Sequence, residues 1–111
     1  MNYSAQYNRN CPCLKQIVGI DVDKDNLVVC LGRLTQQGQP ELYAEKSFAN
    51  GPKGFKALVG WVDGRTNPAV GLTYAMEATG VYYESLAYYL SDHGARLSVI
   101  KPNKIDAYAK S

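Results

Sequence analysis

At 111 residues the chain has room for one small domain. Apolar residues make up 46% and charged residues 20%, an ordinary globular balance that excludes a disordered or fibrous chain. No apolar run approaches the ~20 residues of a membrane span, the polar stretch Met1–Asn10 lacks the apolar core of a secretory signal, and three cysteines are too few for a disulfide framework and suit a reducing cytoplasm.

The net charge of +2 is unevenly spread. Residues 101–111 carry three Lys and one Asp, whereas basic and acidic side chains balance in the rest of the chain. This excess is too small to require nucleic acid by itself.

Residues 1–15 read as a flexible tail, rich in Asn, Gln and Tyr and without periodicity. Within it Cys11-Pro12-Cys13 is a C-x-C pair with no second pair downstream, and the single histidine, His93, is remote. Zinc sites pair C-x2-C units or combine Cys with nearby His, so no metal role is assigned to these cysteines.

The domain is expected over residues 16–111. Ile17-Val18-Gly19-Ile20-Asp21-Val22 is apolar and β-branched and predicts a strand. Its alternation puts Val18, Ile20 and Val22 on one face and Gly19, Asp21 and Asp23 on the other. Asp23-Lys24-Asp25-Asn26 is turn chemistry, so residues 27–34 form a second strand by hairpin. Residues 41–48 form a third. Asn50 is placed to cap a helix and Pro52 suits its first turn. Phe55, Leu58, Val59 and Val62 supply its buried stripe, and Gly64, Asn67 and Pro68 break it. A fourth strand runs over 70–76 and ends at Glu77. Thr79 is placed to cap a second helix with an inner stripe of Tyr83, Leu86, Ala87 and Leu90, which Gly94 stops. A fifth strand covers 95–100, and Pro102 starts a further helix. The order β-β-β-α-β-α-β-α predicts a mixed five-stranded sheet covered by helices, with an antiparallel meander followed by parallel strands.

Two carboxylates stand out. Asp21 sits in an apolar strand, where burial of a charge is costly, and Glu77 closes another. If those strands are neighbours, both groups project near the same strand ends. Two close carboxylates repel unless a cation stands between them, and magnesium favours such oxygen ligands. The competing reading is structural, with Asp21 capping the turn and Glu77 a helix start. The tyrosines of the second helix (Tyr82, Tyr83, Tyr88, Tyr89) suit packing and surface better than a nucleophile, since no Arg or His beside them in sequence would activate a phosphate. Lys101, Lys104 and Lys110 follow the fifth strand, on the side where open sheets bind ligands, and are candidate phosphate contacts.

Several segments together resemble a known family: Val18-Gly19-Ile20-Asp21-Val22, Phe48-Ala49-Asn50 with Gly54-Phe55, Met76-Glu77-Ala78-Thr79-Gly80-Val81-Tyr82, Val99-Ile100-Lys101-Pro102-Asn103, and Ala107-Tyr108-Ala109-Lys110-Ser111. They resemble the N-terminal domain of the insertion sequence 110 transposases, the DEDD type related to the Piv and MooV invertases. The resemblance implies an α/β RNase H-like, RuvC-like fold. It implies that Asp21 and Glu77 are the first two members of an Asp-Glu-Asp-Asp tetrad binding Mg²⁺ (or Mn²⁺). It also implies DNA cleavage and strand exchange, with a guide RNA encoded by the element in some members. The last two Asp of the tetrad and the family's serine-bearing second domain are not found before Ser111. Asp106 matches neither Asp position, and Asp23 stands where the family usually has Ser or Thr. The expectation is therefore a C-terminally truncated piece of a longer transposase, inactive alone and prone to form homo-oligomers through surface that the rest would cover. The alternatives are a fragment of an actin-like-fold sugar or acetate kinase, although Val22-Asp23-Lys24 is no Gly-Thr-Thr phosphate turn, and a non-catalytic interaction domain.

Overall fold

The computed structural model describes residues 12–78 and 80–100. In chain order the elements are β1 (Cys13–Val22), β2 (Asn26–Thr35), β3 (Pro40–Ala49), α1 (Pro52–Asp63), β4 (Leu72–Glu77), α2 (Glu84–Asp92) and β5 (Arg96–Ile100). The final helix expected after Pro102 lies outside the described residues, as does Thr79. No helix among the described residues is long and apolar enough to cross a membrane.

The strands form one sheet in the order β3-β2-β1-β4-β5. The first three are an antiparallel meander, while β4 runs parallel to β1 and β5 parallel to β4. The β1–β2 turn is short because Asp23, Lys24, Asp25 and Asn26 favour turn geometry, and the Asp23 amide donates to the Asn26 carbonyl at 2.9 Å. β1 starts at Cys13, which pairs with Thr35. Residues 13–15, read from composition as the end of the tail, are therefore strand.

Both helices cover the same face. Val18, Ile20, Leu27, Val29, Leu31, Tyr74 and Met76 of the sheet meet Phe55, Leu58 and Val62 of α1 and Leu86 and Leu90 of α2 in one buried cluster. Each such side chain contributes ~1.5–3 kcal/mol over leaving it in water. The opposite face of the sheet has no helix on it among the described residues: Ile17 is 47% and Leu42 71% exposed there.

Polar clamps fix the sheet end away from Asp21. Gln16 is buried, and its amide donates to the carbonyls of Asn67 and Val70, both at 3.0 Å, while its Oε1 accepts from the Asn67 amide. This anchors the α1–β4 connection. The Tyr43 hydroxyl donates to the Arg65 carbonyl at 3.1 Å.

Two helix starts differ from expectation. The N-cap of α1 is Gly51, in extended conformation and without a side-chain cap; the Asn50 side chain reaches elsewhere, to the carbonyls of Asp23 and Tyr82. α2 begins only at Glu84, after a turn over residues 80–83 in which Gly80 takes φ +66°. It ends as anticipated, with Gly94 at φ +76° donating to the Ser91 carbonyl.

Candidate active site

Asp21 and Glu77 hold equivalent places on adjacent parallel strands. The β1–β4 register runs from Gln16 opposite Leu72 to Ile20 opposite Met76, and the next residue along each strand is the carboxylate. Neighbouring strands lie ~4.8 Å apart. Side chains alternate along a strand, so both acids leave by the open face, opposite the core positions Ile20 and Met76. Both are exposed. The cost of burying Asp21, which its apolar surroundings in the sequence suggested, does not arise, because among the described residues helices cover one face and Asp21 lies on the other. Neither carboxylate has a hydrogen bond or ion pair among the described residues, where the one salt bridge joins Arg33 to Glu41.

The floor beside them is made of small residues. One row across the open face reads Glu45, Cys30, Gly19, Ala75, Ser98 from β3 to β5. A Cβ on Gly19 would meet nothing within 4 Å, so the space above it is clear. The Cys30 thiol donates to Glu45 Oε1 at 3.4 Å. Burial pushes that thiol up from its ordinary value, helped by the bond to Glu45 and by the negative charges of Glu45 and Asp21. Glu45 is the acidic residue on this face that the sequence reading passed over. Its signal was its pairing opposite Cys30 across β2 and β3, which local alternation does not reveal.

The two acids offer oxygen ligands with free lone pairs at a sheet end, the donor chemistry a divalent cation takes. They fit such an ion as part of its shell. Among the described residues, no group of three or more His, Cys, Asp or Glu could hold a metal. Glu77 pairs with Ile100, and the Ala78 amide donates to the Ile100 carbonyl at 2.8 Å, so β5 ends beside Glu77. Lys101, Lys104 and Lys110, read as phosphate contacts, lie outside the described residues.

The tyrosines of the α2 region divide as packing suggested. Tyr82 and Tyr88 are exposed. Tyr89 is half-buried, its ring 5.4 Å from that of Phe55 and stacked at 4.2 Å on His93.

The sequence profile of the DEDD-type insertion sequence 110 family, described as "Transposase", matches residues 18–111. The chain is 32% identical over 97 residues to the pilin gene-inverting protein of Moraxella lacunata and 33% identical over 98 residues to that of Moraxella bovis. Each alignment takes in 87% of this chain, and the chain spans 28% of the length of each of these relatives. Among solved structures, it resembles the yeast mitochondrial Holliday junction resolvase (TM-score 0.55, 14% identity, 90% of this chain and 59% of that one). It also resembles T. thermophilus RuvC in complex with Holliday junction substrate (TM-score 0.51, 15% identity, 83% and 69%). At such identities the likeness is one of fold: a RuvC-like, RNase H-like sheet.

Proposed function

Because the chain belongs to the insertion sequence 110 family of DEDD transposases, we propose that it supplies the first half of the metal-binding site of a DNA-recombining enzyme, with Asp21 and Glu77 as metal ligands and catalytic carboxylates. The observation that carries this reading is the parallel β1–β4 register, which sets the two acids side by side on the open face. The actin-like kinase reading falls with the family assignment.

Asp21 and Glu77 would hold one Mg²⁺, or Mn²⁺ in its place. When bound, such an ion supplies charge neutralisation and an activated water for phosphodiester cleavage. The chain's own contribution is positional. Rigid strand ends hold the two carboxylates at one strand spacing, which fixes where a DNA phosphate is drawn in. The small floor of Gly19, Ala75 and Ser98 leaves room above the sheet for a backbone. Lys101, Lys104 and Lys110 would neutralise neighbouring phosphates, a contact that positions DNA without reading its sequence.

The names of the Moraxella relatives speak of gene inversion, which supports site-specific DNA transposition or inversion as the role of the whole protein; a cytoplasmic location belongs to the same proposal. Two carboxylates make only part of a divalent ion's shell, so the described residues by themselves are expected not to cut DNA. A guide RNA encoded by the element, which the resemblance implies for some members of the family, is proposed as a further partner. The open sheet face, with Ile17, Leu42 and Leu14 exposed, supports pairing with a second copy of the chain.

The test is Mn²⁺ titration by calorimetry, with Asp21→Asn and Glu77→Gln as controls. Binding that disappears in both variants is expected. Binding of equal strength in the variants would remove these residues from the site. Light scattering at high concentration tests the second copy: a clean monomer would refute it.

A further inference from the structure

Among the described residues Asn50 makes three hydrogen bonds, none of them to the helix it precedes. Its backbone amide donates to the Asp25 carbonyl at 3.0 Å. Its side-chain Nδ2 donates to the Asp23 carbonyl at 2.8 Å and to the Tyr82 carbonyl at 3.0 Å. Asp23 and Asp25 belong to the β1–β2 turn, immediately after the strand end that carries Asp21. Tyr82 belongs to the turn after the strand end that carries Glu77.

A primary amide has two N–H donors that diverge from one nitrogen. That lets one side chain join two carbonyls from separate turns. A serine has one donor, an aspartate none, and an alanine removes both. Helix capping, the other common use of Asn at this place, is absent, since α1 starts from Gly51 without a side-chain cap.

We propose that Asn50 is a positioning residue for the carboxylate pair: it clips the two turns together and so sets the separation of Asp21 and Glu77. The inference rests on the reading of that pair as a metal site. Residues behind metal ligands that fix their orientation change metal affinity when removed, although they never touch the ion. Asn50 acts one step further back, through the backbone that bears the ligands.

The experiment uses the present chain and Asn50→Ala, with two readouts taken well below the melting temperature. Amide hydrogen exchange, without metal, is followed at Asp23 and Glu84, whose N–H groups close the two turns on Asn26 and Val81. Mn²⁺ affinity is measured by titration. The expected result is exchange at least about tenfold faster at these two amides, with Val29 and Leu31 unchanged, and Mn²⁺ affinity weaker by at least about tenfold. Exchange that is unchanged, or that rises equally in the core strands, overturns the proposal. So does faster local exchange with unaltered Mn²⁺ affinity, since the clip would then hold the turns without placing the acids. If the unsubstituted chain binds no Mn²⁺, it is the metal reading that fails. The proposal is then decided by the backbone nuclear Overhauser contact between Asp21 and Glu77: its loss in Asn50→Ala supports the clip and its retention overturns it. Should Asn50→Ala not fold, Asn50→Ser carries the same test, because a single hydroxyl donor cannot join both carbonyls.

Discussion

Gly54 lies so close to the backbone of Ala49 that a Cβ on it would overlap the Ala49 carbonyl. Only Asn50 and Gly51 separate β3 from α1, so the first helical turn is folded back onto the strand end. Gly54→Ala is therefore expected to destabilise the chain by about 2 kcal/mol or more, since backbone cannot move aside as a side chain can. Gly60, in the same helix, meets nothing within 4 Å. There the better helix propensity of alanine should win, and Gly60→Ala should stabilise by ~0.5–1 kcal/mol. Urea unfolding of both variants checks the pair; stabilisation by both would show that the close approach relaxes.

Gln16 is a buried amide that satisfies the backbone of a connection 51 residues away. Gln16→Leu keeps the volume and removes the partners of the Asn67 amide and of two carbonyls. A loss of ~1–3 kcal/mol is expected, the cost of unsatisfied buried groups. Thermal unfolding would show it as a fall in Tm of several degrees. An unchanged Tm would mean that water replaces the side chain there.

Tyr74 is 4% exposed, and its hydroxyl is pushed far above its ordinary value of 10.0, first by burial and then by the charge of Asp63. A group whose folded-state value is raised binds its proton more tightly when folded. Its contribution is fully present below pH 10 and is lost as pH rises toward the folded value. Stability should therefore fall as pH climbs above about 10, and Tyr74→Phe should flatten that fall while altering stability at neutral pH much less. Denaturant midpoints measured from pH 8 to 11 in both proteins test this. Identical slopes would mean that Tyr74 is not the group lost.

Asp21 and Glu77 are exposed and make no hydrogen bond or ion pair among the described residues. Without metal, Asp21→Asn and Glu77→Gln should leave unfolding free energy within ~0.5 kcal/mol, or raise it by easing repulsion between the acids. Chemical denaturation of metal-free protein gives the answer. A loss above about 2 kcal/mol on either change would mark a structural residue instead.

What could be read from the sequence depended on how far apart the interacting residues lie. The alternation of Val18, Ile20 and Val22 and the stripe of Phe55, Leu58 and Val62 are periodic within one element, and both face the core as that period requires. The apolar run around Asp21 suggested that its carboxylate would be costly to bury, yet Asp21 is exposed. Which face would be covered depends on where two later helices pack, and no local pattern states that. Asn50 shows the same limit. Its composition at a helix start implies a cap, but its partners Asp23 and Tyr82 lie 27 and 32 residues away. Glu45 joins the acidic face only through its pairing with Cys30.

The β1–β4 pairing also sets an order of events. The β1–β2–β3 meander joins neighbours in sequence and closes small loops, whereas β4 reaches β1 only after a long crossover through β2, β3 and α1. Non-local parallel pairing is slow, because the loop must be closed before the contact rewards it. The meander can form with Asp21 already in place while Glu77 is still far away. The carboxylate pair is thus expected to be among the last features to assemble and among the first to be lost if the β4–β5 edge opens. A chain with most of its strands intact can still lack the pair altogether.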